Sequence, residues 1–364
     1  MKDNHPGVAV SEDSLHRGAR TESWEAIRMV KLKPPSPFGH PQIMPDSRDP
    51  STPLPPAPRA APEPLAPLNP PTRFPEDPYF THRASDAGGS AEGPDLWEDL
   101  APTERAGYLT DLLSDEAAAF VLRARSKPFF LSLHYTAPHA PWEGPEDAAL
   151  DHAGHGPGPM KDGGSLDVFA SMVRSLDAGV GRVLEALGRA GRAGDTLVVF
   201  TSDNGGERYS YHWPFSFQKT YLWEGGIRVP AIARWPGVIP AGRLTEQAAI
   251  TMDWTATVLA ATGTPADPSY PLDGDDLLPV CAGEKDVYDR MLFWRTAGPP
   301  ARDAARIGQW KYLKDEGKEQ LFDLSIDPGE RNDLRKKHPE VFEDIKKRYL
   351  AWDAQMLPRP ATID

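Results

Sequence analysis

The sequence predicts an α/β layered sandwich followed by a small antiparallel α+β domain. Three observations predict it. Helical and strand patterns alternate from about residue 104 to 262, which is the signature of helices layered on a sheet. Leu197 to Phe200 is a fully apolar run, as in a parallel strand covered on both faces. After about residue 286 the pattern changes to short strands in close succession and one terminal helix.

Taken in order, residues 1–33 show no sustained period and read as mostly irregular. Residues 34–78 hold 17 of the 40 prolines. Proline removes a backbone donor and fixes φ, so this stretch cannot be a helix interior or a central strand. It reads as an extended, solvated linker, with a ligand for a polyproline-binding domain as the alternative. Residues 103–125 place Leu109, Leu112, Leu113, Ala117, Phe120 and Val121 on one helical stripe, with Thr110 or Asp111 as N-cap. Pro128 and Pro138 then bracket a short buried strand, Phe129 to Tyr135. Residues 145–164 are rich in Gly, Pro and Asp and read as a loop. Residues 165–190 form a second long helix ended by Gly191 and Gly194. Residues 229–235 read as a strand, 252–262 as a helix, and MLFWR, ARIGQWKYLKD and EQLFDLSIDP as antiparallel strands before a charged final helix. The division is therefore a Pro-rich disordered leader over 1–76, an α/β domain over 77–285 and a small antiparallel α+β domain over 286–364.

Composition removes several function classes. With 40 Lys plus Arg against 53 Asp plus Glu, the net charge is −13, which argues against a nucleic-acid or anionic-membrane partner. Cys281 is the one cysteine, so an internal disulfide and a cysteine-based zinc cluster are excluded. No apolar run reaches the roughly 18 residues a membrane span needs. The first 30 residues lack the apolar core of a signal peptide, so the chain as written reads as cytoplasmic.

Three segments carry candidate chemistry. In FTSDNGGE, Asp203 and Asn204 follow a strand end, the edge where open α/β sheets bind ligands. Their adjacent oxygens suit a hard cation such as calcium or magnesium, and the same four residues equally suit a tight turn. In LHYTAPHAP, His134 falls inside the strand and reads as a buried, satisfied histidine. His139 lies past the strand end between Pro138 and Pro141, where it suits a proton donor or an anion contact. In FQKTYLWEGGIRVP, Lys219 can neutralise an anionic group in that cleft, or be an ordinary solvated lysine. Arg208, Tyr209, Tyr211, His212 and Trp213 stand where they would line its mouth as substrate-binding residues.

The runs KPFFLSLHYTAPHAPW, TLVVFTSDNGGERYS, KTYLWEGGIRVPAIARWPG and QLFDLSIDPGERNDL, in this order, resemble the formylglycine-dependent sulfatases of the alkaline-phosphatase superfamily. The similarity covers about residues 77–364. It implies an alkaline-phosphatase-like α/β/α sandwich with a smaller C-terminal antiparallel domain. It also implies Ca2+ held partly by Asp203 and Asn204, a sulfate-binding Lys219, and His139 contacting the sulfate and protonating the leaving oxygen. The implied reaction is hydrolysis of a sulfate ester on a sulfated small molecule or sulfated sugar. The family often has glycine just before the lysine, where this chain has Phe217 and Gln218. Its nucleophile lies in a CxPxR pattern, and no Cys, Ser or Thr here has Pro two later and Arg four later. Cys281, in VCAGEK, reads as structural. The family's early Asp-Asp pair and GKWH-like segment are absent too, so the match reads as an N-terminally truncated sulfatase domain. The alternatives are a catalytically dead fragment and a related phosphatase or phosphonate hydrolase.

Overall fold

The computed structural model describes residues 79–80, 96–99, 101–123, 125–147, 164–297 and 300–359, and the backbone of short paired strands at 25–26, 83–84 and 93–94. Apart from 25–26, the Pro-rich leader lies outside the described residues, as does most of the 145–164 loop. The first strands are two residues each: Glu25–Ala26 (β1), Arg83–Ala84 (β2), Gly93–Pro94 (β3), Trp97–Glu98 (β4) and Ala101–Pro102 (β5).

Two long helices, Leu109–Leu122 (α1) and Leu166–Arg189 (α2), pack along each other. Leu109, Leu113, Phe120 and Val121 of α1 and Met172, Ala186 and Leu187 of α2 are buried in the cores beneath them. The helices approach closely at Gly179, where a Cβ would run into the Ser114 hydroxyl. Arg182 bridges back to Asp111 and Asp115 at 2.5 and 3.0 Å. Ser165 caps α2 by accepting from the Val168 amide, and Gly191 follows its end at φ +67°. The predicted cap of α1 is wrong. Tyr108 takes the N-cap position with no side-chain cap, and Asp111 sits in the first turn, where its charge meets the positive end of the helix dipole.

The strands depart from expectation. Among the described residues, the predicted strand forms a ladder at Phe129–Phe130 (β6) alone, parallel to β1, and not on to Tyr135. His134 is exposed, with Nε2 2.8 Å from the Ser132 hydroxyl, rather than buried. Val198–Thr201 (β7) pairs antiparallel with Ala231–Arg234 (β8), not in parallel. An apolar run reports burial tendency and is blind to strand direction. Nor is this pair covered on both faces: Phe200 and its partner Ile232 are 36% and 60% exposed. Glu224–Ile227 (α3) precedes β8, and Asp253–Thr262 (α4) and Leu278–Ala282 (α5) follow it.

The three predicted C-terminal runs form one antiparallel sheet of four strands, Met291–Arg295 (β9), Asp303–Ile307 (β10), Trp310–Asp315 (β11) and Lys318–Asp323 (β12), the middle run being split between β10 and β11. Strand alternation gives it two faces. Tyr312 and Leu321 look to the final helix, Pro339–Asp353 (α6), and pack on Phe342, Ile345 and Tyr349. Leu313 and Phe322 look the other way, onto Leu222 and Trp223. Lys311 and Asp315 share that second face. Lys311 is 0% exposed and lies 2.8 Å from both Glu224 Oε1 and Glu330 Oε1. Glu330 also accepts from the Glu224 amide at 2.6 Å. Asp315 accepts from the Trp223 indole at 2.9 Å and from Arg302 Nε at 2.7 Å.

The 216–228 segment is thus gripped from two sides. Opposite the C-terminal sheet, the loop after β7 is laced to it: the Gly205 amide donates to Gly226 O and the Lys219 amide to Gly206 O, each at 2.8 Å. A Cβ on Gly205 would overlap the Gly225 carbonyl, and one on Gly226 the Tyr221 carbonyl. Glycine is required here by backbone-to-backbone proximity.

Two expectations follow. Burial raises the Glu224 carboxyl's pKa, but Lys311, Arg306 and Arg228 outweigh it and hold it below its ordinary value. Burial pushes Glu330 up, and Lys311 does not fully offset that. A depressed carboxyl stabilises the fold above its unfolded pKa, and a raised one opposes folding there. At pH 7, Glu224→Gln should therefore cost more stability in urea unfolding than Glu330→Gln. Lys311→Met, which strands both carboxylates, should cost roughly 3–5 kcal/mol. Equal costs for the two glutamates would contradict the assignment. Separately, Gly205→Ala should cost about 1–3 kcal/mol, because the added methyl must push the facing backbones apart; an unchanged melting temperature would show that the two loops are not in register.

Candidate active site

The geometry of the cleft begins at three chain segments. Past β6, the Pro-rich turn carries His139, whose amide donates to Thr136 O at 2.9 Å. Past β7, Asp203 and Asn204 open the Gly-Gly loop. Between that loop and α3 stands Lys219. The structure brings His139 and Lys219 together: Lys219 Nζ lies 2.9 Å from His139 Nε2 across 80 residues of sequence. His139 Nδ1 is 2.7 Å from Ala140 O. A carbonyl only accepts, so Nδ1 carries the proton and Nε2 presents its lone pair to the lysine. Glu207, which sequence reasoning does not single out, lies 3.6 Å from Lys219 Nζ and balances its charge. The one signal for it is its place directly after Gly205-Gly206.

Asp203 and Asn204 are local to their loop. The Asn204 amide donates to Asp203 Oδ1 at 2.9 Å, and the Ser202 hydroxyl donates to Asn204 O at 3.0 Å. These bonds are those of a tight turn. Among the described residues, no group of three or more His, Cys, Asp or Glu side chains could hold a metal ion. Two adjacent oxygen donors do not fit a self-contained calcium site, which takes six to eight.

The remaining candidates have different surroundings. The Arg208 guanidinium lies over the Trp142 and Tyr209 rings at 5.5 and 4.9 Å, a cation–π arrangement. His212 turns its Nε2 inward against Gly206, buried without a hydrogen bond. Trp213 and Tyr211 stand out at 68% and 85% exposure. Backbone strain concentrates in the same region. Tyr209, Phe217 and Thr220 have φ of +71°, +59° and +77°, conformations that cost a non-glycine residue of order 1–3 kcal/mol each. Phe217, two residues before Lys219, adopts a backbone that glycine adopts freely.

No activated nucleophile faces this arrangement among the described residues. The Thr201 hydroxyl donates to Pro230 O at 3.1 Å and the Ser202 hydroxyl to Asn204 O at 3.0 Å; the carboxylate in reach of Ser202, Asp203 Oδ1, lies 3.5 Å away, at the outer limit of a hydrogen bond. Burial pushes the Cys281 thiol up in pKa, the opposite of activation.

The sulfatase family profile matches residues 64–264, and that of the N-sulphoglucosamine sulphohydrolase C-terminal region matches 211–355. Steryl-sulfatase of Mus musculus is 31% identical over 314 residues, covering 73% of this chain and 48% of the relative. N-acetylgalactosamine-6-sulfatase of Canis lupus familiaris is 34% identical over 211 residues, covering 56% of this chain and 38% of the relative. The crystal structure of Ps i-CgsB in complex with k-i-k-neocarrahexaose superposes with a TM-score of 0.66 at 29% identity, over 74% of this chain and 60% of that one. The chain spans about half the length of the steryl-sulfatases it matches. The fold is the alkaline-phosphatase-like fold of the sulfatases, and the chain belongs to the sulfatase family.

Proposed function

We propose that this chain carries a sulfate-ester site of the sulfatase type and that the reaction it serves is hydrolysis of sulfate esters. The observation that carries the proposal is the Lys219–His139 contact of 2.9 Å. Lys219 supplies a compact ammonium that donates to two of the sulfate oxygens. His139, with its proton on Nδ1, offers Nε2 to the same centre. Once Nε2 takes up a proton, it can deliver it to the leaving oxygen, as a general acid. Glu207 limits how far Lys219 wanders without bonding it tightly, at 3.6 Å. Tyr211 and Trp213 offer exposed rings on which the organic portion of a sulfated small molecule or sulfated sugar would rest. The relatives' names, steryl-sulfatase and N-acetylgalactosamine-6-sulfatase, span both of these substrate kinds.

Calcium enters this reading only as a shared ligand. Asp203 and Asn204 would give it two donors, and bound calcium would neutralise charge on the sulfate. The pair alone does not complete a calcium site.

A second reading has its own observation. The 364 residues contain no CxPxR pattern, and a sulfate monoester needs an activated nucleophile to be cleaved at enzymatic rates. The purified chain should therefore bind an aryl sulfate without measurable turnover. Lys219→Ala should weaken that binding about tenfold or more. Binding that ignores Lys219→Ala would refute the sulfate-ester site. Turnover that Lys219→Ala abolishes would refute the second reading and make Ser202 and Thr201 the first side chains to substitute.

A further inference from the structure

The turn that presents Lys219 is strained on both sides, at Phe217 and Thr220. Strain of this kind persists only where the surroundings over-determine the backbone. What surrounds it belongs to the C-terminal sheet. Arg302, at the start of β10, donates from Nε to Asp315 at 2.7 Å. Its guanidinium lies over the Tyr221 ring at 4.4 Å, and its Nη1 reaches the Thr220 carbonyl at 3.5 Å. Asp315 holds the Trp223 indole at the same time. Phe217 is then pinned between the Tyr221 and Trp223 rings, each 4.7 Å away centre to centre. Apart from the Arg302–Asp315 pair itself, each of these contacts lands within four residues of Lys219.

We infer that Arg302, locked by Asp315, is a positioning residue for the sulfate site: it holds the Thr220–Tyr221 backbone in the strained turn that points Lys219 at His139. Arg302 touches neither substrate nor His139. Its effect runs through the turn. The inference rests on the reading of Lys219 as the sulfate ligand.

The test is a titration of the full chain with inorganic sulfate, followed by NMR, over a double-mutant cycle. Arg302→Met keeps the aliphatic stem and removes the fork. It should weaken sulfate binding about tenfold beside an intact Lys219. In the Lys219→Ala background it should weaken it no further. Thr220→Gly, which adopts positive φ freely, should restore binding in Arg302→Met to within about twofold of the parent chain. A residue acting only through overall stability, or only through its charge, would show neither the non-additivity nor the rescue. If Arg302→Met fails to fold, Arg302→Lys keeps the charge, loses the fork and should give the same pattern. Unchanged binding in the Arg302 variant, or an equal loss in both backgrounds, overturns the inference while leaving Lys219 in place. If Lys219→Ala itself leaves sulfate binding unchanged, the reading of Lys219 fails first and takes this one with it.

Discussion

The ammonium of Lys311 sits out of water between the carboxylates of Glu224 and Glu330, and the rest of the site depends on that arrangement. A buried ion triad is a weak source of net stability, because desolvation of three charges opposes their attraction. What it does impose is register. Glu224 begins the short helix whose two glycines meet the loop after β7. Fixing Glu224 fixes Gly225 and Gly226, they fix Gly205, and Gly206 in turn fixes the amide of Lys219. The last sheet of the chain thus sets the position of a lysine far upstream in the sequence.

The QLFDLSIDPGERNDL run acquires a physical meaning on this view. Asp327 accepts from the Arg331 and Asn332 amides at 2.7 and 2.8 Å, closing a turn that carries Glu330 at φ +56°. Gly329 O accepts from the Ser216 hydroxyl at 2.5 Å. The motif is a clamp on the lysine segment, delivered from the C-terminal domain.

Some of this is legible in the sequence. The helix over 165–190 and its end at Gly191 are legible, because periodicity and glycine stops are local properties. The C-terminal sheet is legible as three strand runs, but the turn at 308–309 that splits the middle run, 305–315, into β10 and β11 is not. The direction of β7 is not, since Val198, Val199 and Phe200 would look alike in either sense. His134 falls in the interior only if strand burial extends beyond the two residues that pair, and it does not. Lys311 and Asp315 are invisible as buried groups: a charged residue in a strand defaults to solvent, and only partners distant in sequence reverse that. Of the site, His139 and Lys219 can be placed at one sheet edge by strand ends and by resemblance. Their 2.9 Å contact, the Glu207 counter-charge and the dependence on Glu224 are tertiary facts with no local signature.

The central claim is that the lysine segment and the C-terminal sheet behave as one cooperative unit. Native-state hydrogen exchange reads this directly, because amides in one unit open with one free energy. The amides of Gly205, Lys219 and Gly225 should exchange with the same opening free energy as those of Leu313 and Leu321 in the buried sheet. Opening of the three loop amides at a much lower free energy, with the sheet amides still protected, would show that the C-terminal domain does not hold the site.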